Sequence, residues 1–122
     1  MKIFGHPWIE SETFYSVESI DEIKRTPPNA LLHIDSLAEH IGLVHYCQEN
    51  TLEYALKISE IKEAMFANNL GAKYLLCSKD LAKELTPIAQ NYLFDTQIIA
   101  YITDESEIAE MAKAGVDGVK FR

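Results

Sequence analysis

The sequence predicts an α/β protein made of repeated strand–helix units with a mostly parallel sheet. Three observations carry this. Apolar segments recur at residues 30, 52, 73, 96 and 117, about 22 residues apart. Most of them are continuous in apolar character rather than alternating, as parallel strands covered on both faces require. Between them lie segments of helical spacing with start and stop signals.

The N-terminal part is the least regular. Lys2–Phe4 and Phe14–Val17 read as short strands, with residues 5–13 as a loop or edge extension. Ser19-x-x-Glu22 fits a capping box and opens a short helix over Ile20–Arg25, which Thr26-Pro27-Pro28-Asn29 ends. Ala30–Asp35 is the first strand of the regular series. Ser36-x-x-Glu39 then predicts a helix carrying Leu37, Ile41 and Val44 on one stripe. Leu52–Ile58 is the next strand, with Ser59 as a simple cap for the helix bearing Ile61, Ala64, Met65 and Leu70. Gly71 stops that helix before the strand Lys73–Cys77. Ser78 caps a helix with Leu81, Leu85, Ile88 and Tyr92, which Thr86-Pro87 is expected to kink or restart. Thr96–Ile102, a third capping box at Asp104-x-x-Glu107, a helix stopped by Gly115 and the strand Asp117–Phe121 complete the chain.

Two architectures accommodate such a series. An open, doubly wound sheet of the flavodoxin or Rossmann kind is the first expectation. A half-barrel is the other, since a complete eight-fold barrel needs roughly 200 residues or more. The 122 residues read as one domain, 1–122, able to bury a true core.

Composition narrows the function. Apolar residues are 48% and charged residues 25%, which argues against disorder and against a membrane span. The opening residues lack the apolar stretch of a signal peptide. The formal charge of −8 repels phosphate backbones and anionic membranes, so neither nucleic acid nor membrane is expected as a partner. Cys47 and Cys77 lie in apolar segments and read as free, reduced thiols, consistent with the cytoplasm. Ligand spacing for zinc is absent, and no metal or cofactor is expected.

Residues 99–107, Ile-Ala-Tyr-Ile-Thr-Asp-Glu-Ser-Glu, lead through a helix to Ala114-Gly115-Val116-Asp117-Gly118-Val119. This resembles the closing strand–helix–strand unit of phosphate-binding TIM barrels, notably the glycerophosphodiester phosphodiesterases. Asn69-Leu70-Gly71-Ala72-Lys73-Tyr74 is similar to a helix-to-strand join found throughout that class. The resemblance covers about a quarter of the chain and implies a parallel α/β fold. It does not extend to the phosphodiesterases' catalytic residues: Gly5-His6-Pro7 lacks their arginine and glycine-rich context. From residue 19 onward the chain also resembles a small bacterial α/β family of uncharacterised function.

Functional groups in parallel sheets collect beyond the carboxyl ends of the strands. The residues there are Asp35, Ser59, Ser78, Lys79, Thr103 and Arg122, a candidate set for a small polar or anionic ligand. The serines and Thr103 are also what helix caps demand. Counting strands from Ala30–Asp35 puts Cys77-Ser78 at the end of the third, and counting from Phe14 puts Ser59 there, so neither register supplies the accepting Asp of a phosphorelay receiver. No G-x-G-x-x-G, G-x-x-x-x-G-K-[ST] or G-x-S-x-G occurs, so nucleotide binding and a serine-hydrolase elbow lack their signatures. Cys77 is a candidate nucleophile and His33, beside Asp35, a candidate general base, although packing explains either. His6 and Trp8 are expected to anchor the N-terminal stretch to the sheet or to another subunit. The reading favours a non-catalytic binding or regulatory module for a small anionic ligand or a protein partner, a homodimer among the options. The alternative is a small enzyme acting on a phosphorylated or carboxylated metabolite.

Overall fold

The computed structural model describes residues 1–122 and contains one seven-stranded sheet in which all six strand pairs are parallel. In chain order the elements are β1 (Lys2–Phe4), β2 (Phe14–Ser16), α1 (Ile20–Lys24), β3 (Leu31–Ile34), α2 (Ile41–Glu49) and β4 (Tyr54–Lys57). They continue with α3 (Ile61–Asn69), β5 (Tyr74–Cys77), α4 (Lys79–Asn91), β6 (Gln97–Ile102), α5 (Ser106–Lys113) and β7 (Gly118–Phe121).

The strand order is β1-β7-β6-β5-β4-β3-β2, sequential from β2 to β7 with β1 added beyond β7. There is no reversal of direction and hence no topological switch point. Of the two anticipated forms, the molecule therefore takes the curled, half-barrel one. Side-chain alternation shows the same thing. Outward residues such as Leu32, Ile34, Leu56, Leu75, Ile98 and Val119 share a large core with buried residues of all five helices, among them Ile23, Val44, Ala64, Leu85 and Met111. The inward residues Phe4, Leu31, Ala55, Tyr74, Leu76 and Ile99 form a second core made of strand side chains alone. Every crossover helix lies on the convex face, as right-handed connections in a singly wound sheet require.

The curl brings the two edge strands face to face. β1 and β2 share no ladder, but the Phe4 and Phe14 rings meet edge-on with centroids 5.1 Å apart. Tyr74 completes the cluster at 5.4 Å from Phe4. At the amino end of the strands, the Tyr74 hydroxyl lies 2.7 Å from the Lys2 ammonium and 3.1 Å from Glu12. Lys73 pairs there with both Glu12 and Glu53. This network occupies the lower end of the concave side and ties the 5–13 connection to the sheet.

Two local expectations need correction. The helix predicted from Ser36 begins at Ile41 instead: Ser36 Oγ accepts the Glu39 N–H, but the segment closes only as turns before α2. Thr86-Pro87 does not restart the helix: α4 runs unbroken from Lys79 to Asn91 with Pro87 inside it. Thr86 supports the turn before the proline by donating its hydroxyl to the Ala82 carbonyl at 2.8 Å. Gly71 and Gly115 do end their helices at φ of +84° and +76°, the left-handed conformation glycine accepts at low cost.

Candidate functional site

The carboxyl ends of the strands open onto the concave side, and strand alternation decides which side chains reach it. Leu32 and Ile34 point outward, so His33 and Asp35 point inward. By the same rule Lys57 follows outward Leu56, Tyr101 lies between outward Ala100 and Ile102, and Lys120 precedes outward-packed Phe121. Arg122 continues the inward row and lays its guanidinium over the Tyr101 ring at 4.3 Å. The Lys120 ammonium sits 5.4 Å from the Phe14 ring centre. Ser16 is the register partner of His33.

His33 is the centre of this mouth. Its side chain retains 16% exposure, with Nδ1 3.1 Å from Ser16 Oγ and Nε2 3.4 Å from Asp35 Oδ1. The second distance is beyond a formed hydrogen bond, so Nε2 is buried with no hydrogen-bond partner. Burial lowers the pKa of His33 from the usual 6.5; Asp35 opposes that shift, and Lys120 and Lys57 add to it. Tyr101 is raised, first by burial and with Arg122 opposing.

A pH dependence follows. A histidine with a depressed folded pKa stabilises the fold above its unfolded value and withdraws that contribution as pH falls through the folded one. Between pH 7.5 and 5 the denaturation midpoint of the wild type should therefore fall more steeply than that of His33→Asn. Parallel curves in urea titrations at several pH values would show that His33 does not contribute.

The sequence-selected residues divide into two groups. Asp35 and Arg122 both reach the mouth. Ser59, Ser78, Thr103 and Lys79 are engaged in local bonds. Ser59 donates its hydroxyl to Glu63 at 3.1 Å, and Ser78 Oγ accepts the Leu81 N–H at 3.2 Å. Thr103 donates both its N–H and its hydroxyl to Glu107, and Lys79 pairs with Glu107 at 2.6 Å. Lys79, followed by the backbone bond from Thr103, holds Glu107 down to about 2. Residues the sequence reading did not select for the mouth are Ser16, Lys57, Tyr101 and Lys120. The signal for them was the two-residue period within each strand, usable once the inward face is known.

The other candidates fall away from the mouth. Cys77 points outward into the helix-covered core, and burial pushes its thiol up to about 12, far from a thiolate nucleophile. Cys47 is likewise pushed up to about 11 by burial. His6 is the anchor of the 5–13 connection: it pairs with Glu105, accepts the Trp8 N–H and packs on Phe121 at 5.6 Å. Trp8 itself is 89% exposed and borders an apolar cavity of about 390 Å³ with Ile3, Ile9, Ile108 and Ala109. Nowhere do three His, Cys, Asp or Glu side chains converge as metal ligands would. No helix is long and apolar enough to cross a membrane.

No protein-family model matches the chain, and no curated protein is detectably similar to it in sequence.

Proposed function

We propose that the protein binds a small anion, a phosphorylated or carboxylated metabolite, in the mouth of the curled sheet. One observation carries this: Lys57, Lys120 and Arg122 project from the concave side with a single carboxylate, Asp35, among them, and none of these three cations forms an ion pair. Unpaired cations elsewhere, such as Lys24, Arg25, Lys62 and Lys113, are exposed on the outer surface rather than facing inward. Lys73, Lys79 and Lys83 each hold a glutamate, in a chain whose formal charge is −8. Inward-facing cations without counter-ions, at the end of a parallel sheet where ligands usually sit, favour a guest that brings the negative charge. The two free, buried thiols suit a cytoplasmic location.

Chemical-shift mapping with inorganic phosphate, succinate and glycerol phosphate tests the proposal. Shifts should concentrate at residues 33–35, 57–59, 101–103 and 120–122. Replacing both Lys57 and Lys120 by Gln should weaken binding by about 10-fold or more, as loss of charge-assisted contacts of 1.5–3 kcal/mol implies. Shifts confined to the amino ends of the strands or to the Trp8 region would reject the site.

A further inference from the structure

We propose that Ser16, His33 and Asp35 act as nucleophile, general base and orienting carboxylate in the hydrolysis of esters of small anionic carboxylic acids. The substrate class rests on the mouth binding an anion; the three-residue relay rests on its own geometry.

Ser16 and His33 hold paired register positions on β2 and β3, so both side chains leave the sheet on the same face at the same height. Their Oγ and Nδ1 atoms are 3.1 Å apart, within reach for proton transfer. Asp35 stands two residues beyond His33 and returns to that face, with Oδ1 3.4 Å from Nε2. The order hydroxyl, imidazole, carboxylate thus follows from one register pair and one strand period. The ring is used the opposite way round from the familiar serine proteases, with the hydroxyl at Nδ1 and the carboxylate at Nε2. That exchange preserves the chemistry, because one nitrogen must accept while the other carries a proton toward an anion. Asp35 favours the proton on Nε2 through its charge, since that buried nitrogen has no hydrogen-bond partner. Nδ1 is then free to accept from Ser16. At 3.4 Å the Asp35 contact is not a formed hydrogen bond; catalytic hydrogen bonds often tighten only when substrate is bound.

The groups that face His33 also suit the task. Burial, Lys120 and Lys57 keep the imidazole neutral near pH 7 against the opposing pull of Asp35, which is the state a base needs. The relay does not sit on a strand-to-helix elbow, so the absence of G-x-S-x-G does not bear on it; such sets are recognised by geometry.

In the first step Ser16 Oγ bonds to the ester carbonyl carbon while its proton passes to His33 Nδ1. The imidazolium so formed faces Asp35. The carbon–oxygen bond to the alcohol then breaks, and the departing alkoxide takes the proton from Nδ1. Water attacks the acyl-serine, gives its proton to Nδ1, and that proton returns to Ser16 Oγ as the carboxylic acid leaves. The ammonium groups of Lys57 and Lys120, near enough to His33 to act on its charge, meet the anionic tail of the substrate.

Labelling with a fluorophosphonate, read by peptide mass mapping, tests the relay in the intact protein. Ser16 should be the labelled residue. His33→Asn should slow labelling by about 100-fold or more, the usual contribution of a general base. Asp35→Asn should slow it by about 10-fold or more; at 64% side-chain exposure, this replacement should leave the circular-dichroism spectrum unchanged. The labelling rate should also rise with pH through one ionisation below 6.5. No label on Ser16, or a rate indifferent to both replacements, overturns the relay. Hydrolysis of mono-p-nitrophenyl succinate should exceed that of p-nitrophenyl acetate, with the preference lost in Lys120→Gln; equal rates overturn the substrate class. Phosphate shifts at the mouth without Ser16 labelling would sink the relay and leave the anion site standing. Labelling without those shifts would sink the anion site instead.

Discussion

Gly118→Val should destabilise the protein by about 3 kcal/mol and lower the thermal midpoint by about 10 °C. Gly118 opens β7 and lies inside the sheet, between its register partners Lys2 on β1 and Ile99 on β6. A Cβ at this position would lie 2.7 Å from Ile99 Cδ1 and 2.8 Å from the Lys2 carbonyl oxygen. The isoleucine end can rotate, but the carbonyl belongs to the backbone of the edge strand, so β1 must move. Its ladder to β7 is only three residue pairs long, and it has no second partner to hold it. A competing term acts in the unfolded chain, where replacing glycine reduces conformational freedom and stabilises by about 0.4–1 kcal/mol. Overpacking against backbone is the larger effect, so the net sign is destabilising. Gly118→Ala should show the same sign with a smaller loss. Urea titration of both variants checks the order, and a neutral Gly118→Val would mean that the inner face is looser than its contacts imply.

The strands were legible because apolar runs of fixed spacing have few other uses. The face on which the helices lie was not. Leu31-Leu32-His33-Ile34 is apolar on both sides, and an inner face filled by strand side chains reads the same as one covered by helices. Only the strand order, a long-range property, separates a curled sheet from a doubly wound one. The mouth was partly legible for the same reason. Asp35 and Arg122 stand just past strand ends and were visible as such. Lys57 and Lys120 stand within strands, where a charged residue reads as an edge or a solvated position until the inward face is identified. Ser59, Ser78 and Thr103 share the strand-end location but are engaged by helix starts, a local demand that follows from the backbone alone. Ser16 could not be paired with His33 from sequence, because their contact depends on the register of two strands 17 positions apart.

Phe4→Ala should cost about 3–5 kcal/mol, a large share of the 5–15 kcal/mol that holds a domain of this size together. Phe4 is 4% exposed and touches Phe14 on the opposite edge strand as well as Tyr74 across the inner core. β1 and β2 have no hydrogen bonds to each other, so this aromatic contact and the Lys2–Tyr74–Glu12 network at the lower end hold the seam. Part of the cost is lost transfer of the ring from water. The rest is the cavity left between two strands that can separate only by uncurling the sheet. Hydrogen exchange should locate the damage. Amides of β1 and β2 should lose protection first, while those of β4, β5 and β6, each paired on both sides, retain theirs. The mouth should suffer too. Lys120 lies over Phe14, and Phe14 meets the His33 ring edge-on at 6.4 Å, so a displaced β2 carries Ser16 away from His33 and Phe14 away from Lys120. Phosphate affinity at the mouth should therefore fall together with seam protection, since Phe4 is also the inward-facing register partner of Lys120. A variant that loses less than about 1 kcal/mol, with β1 and β2 still protected, would show that the edges are held by something other than this contact.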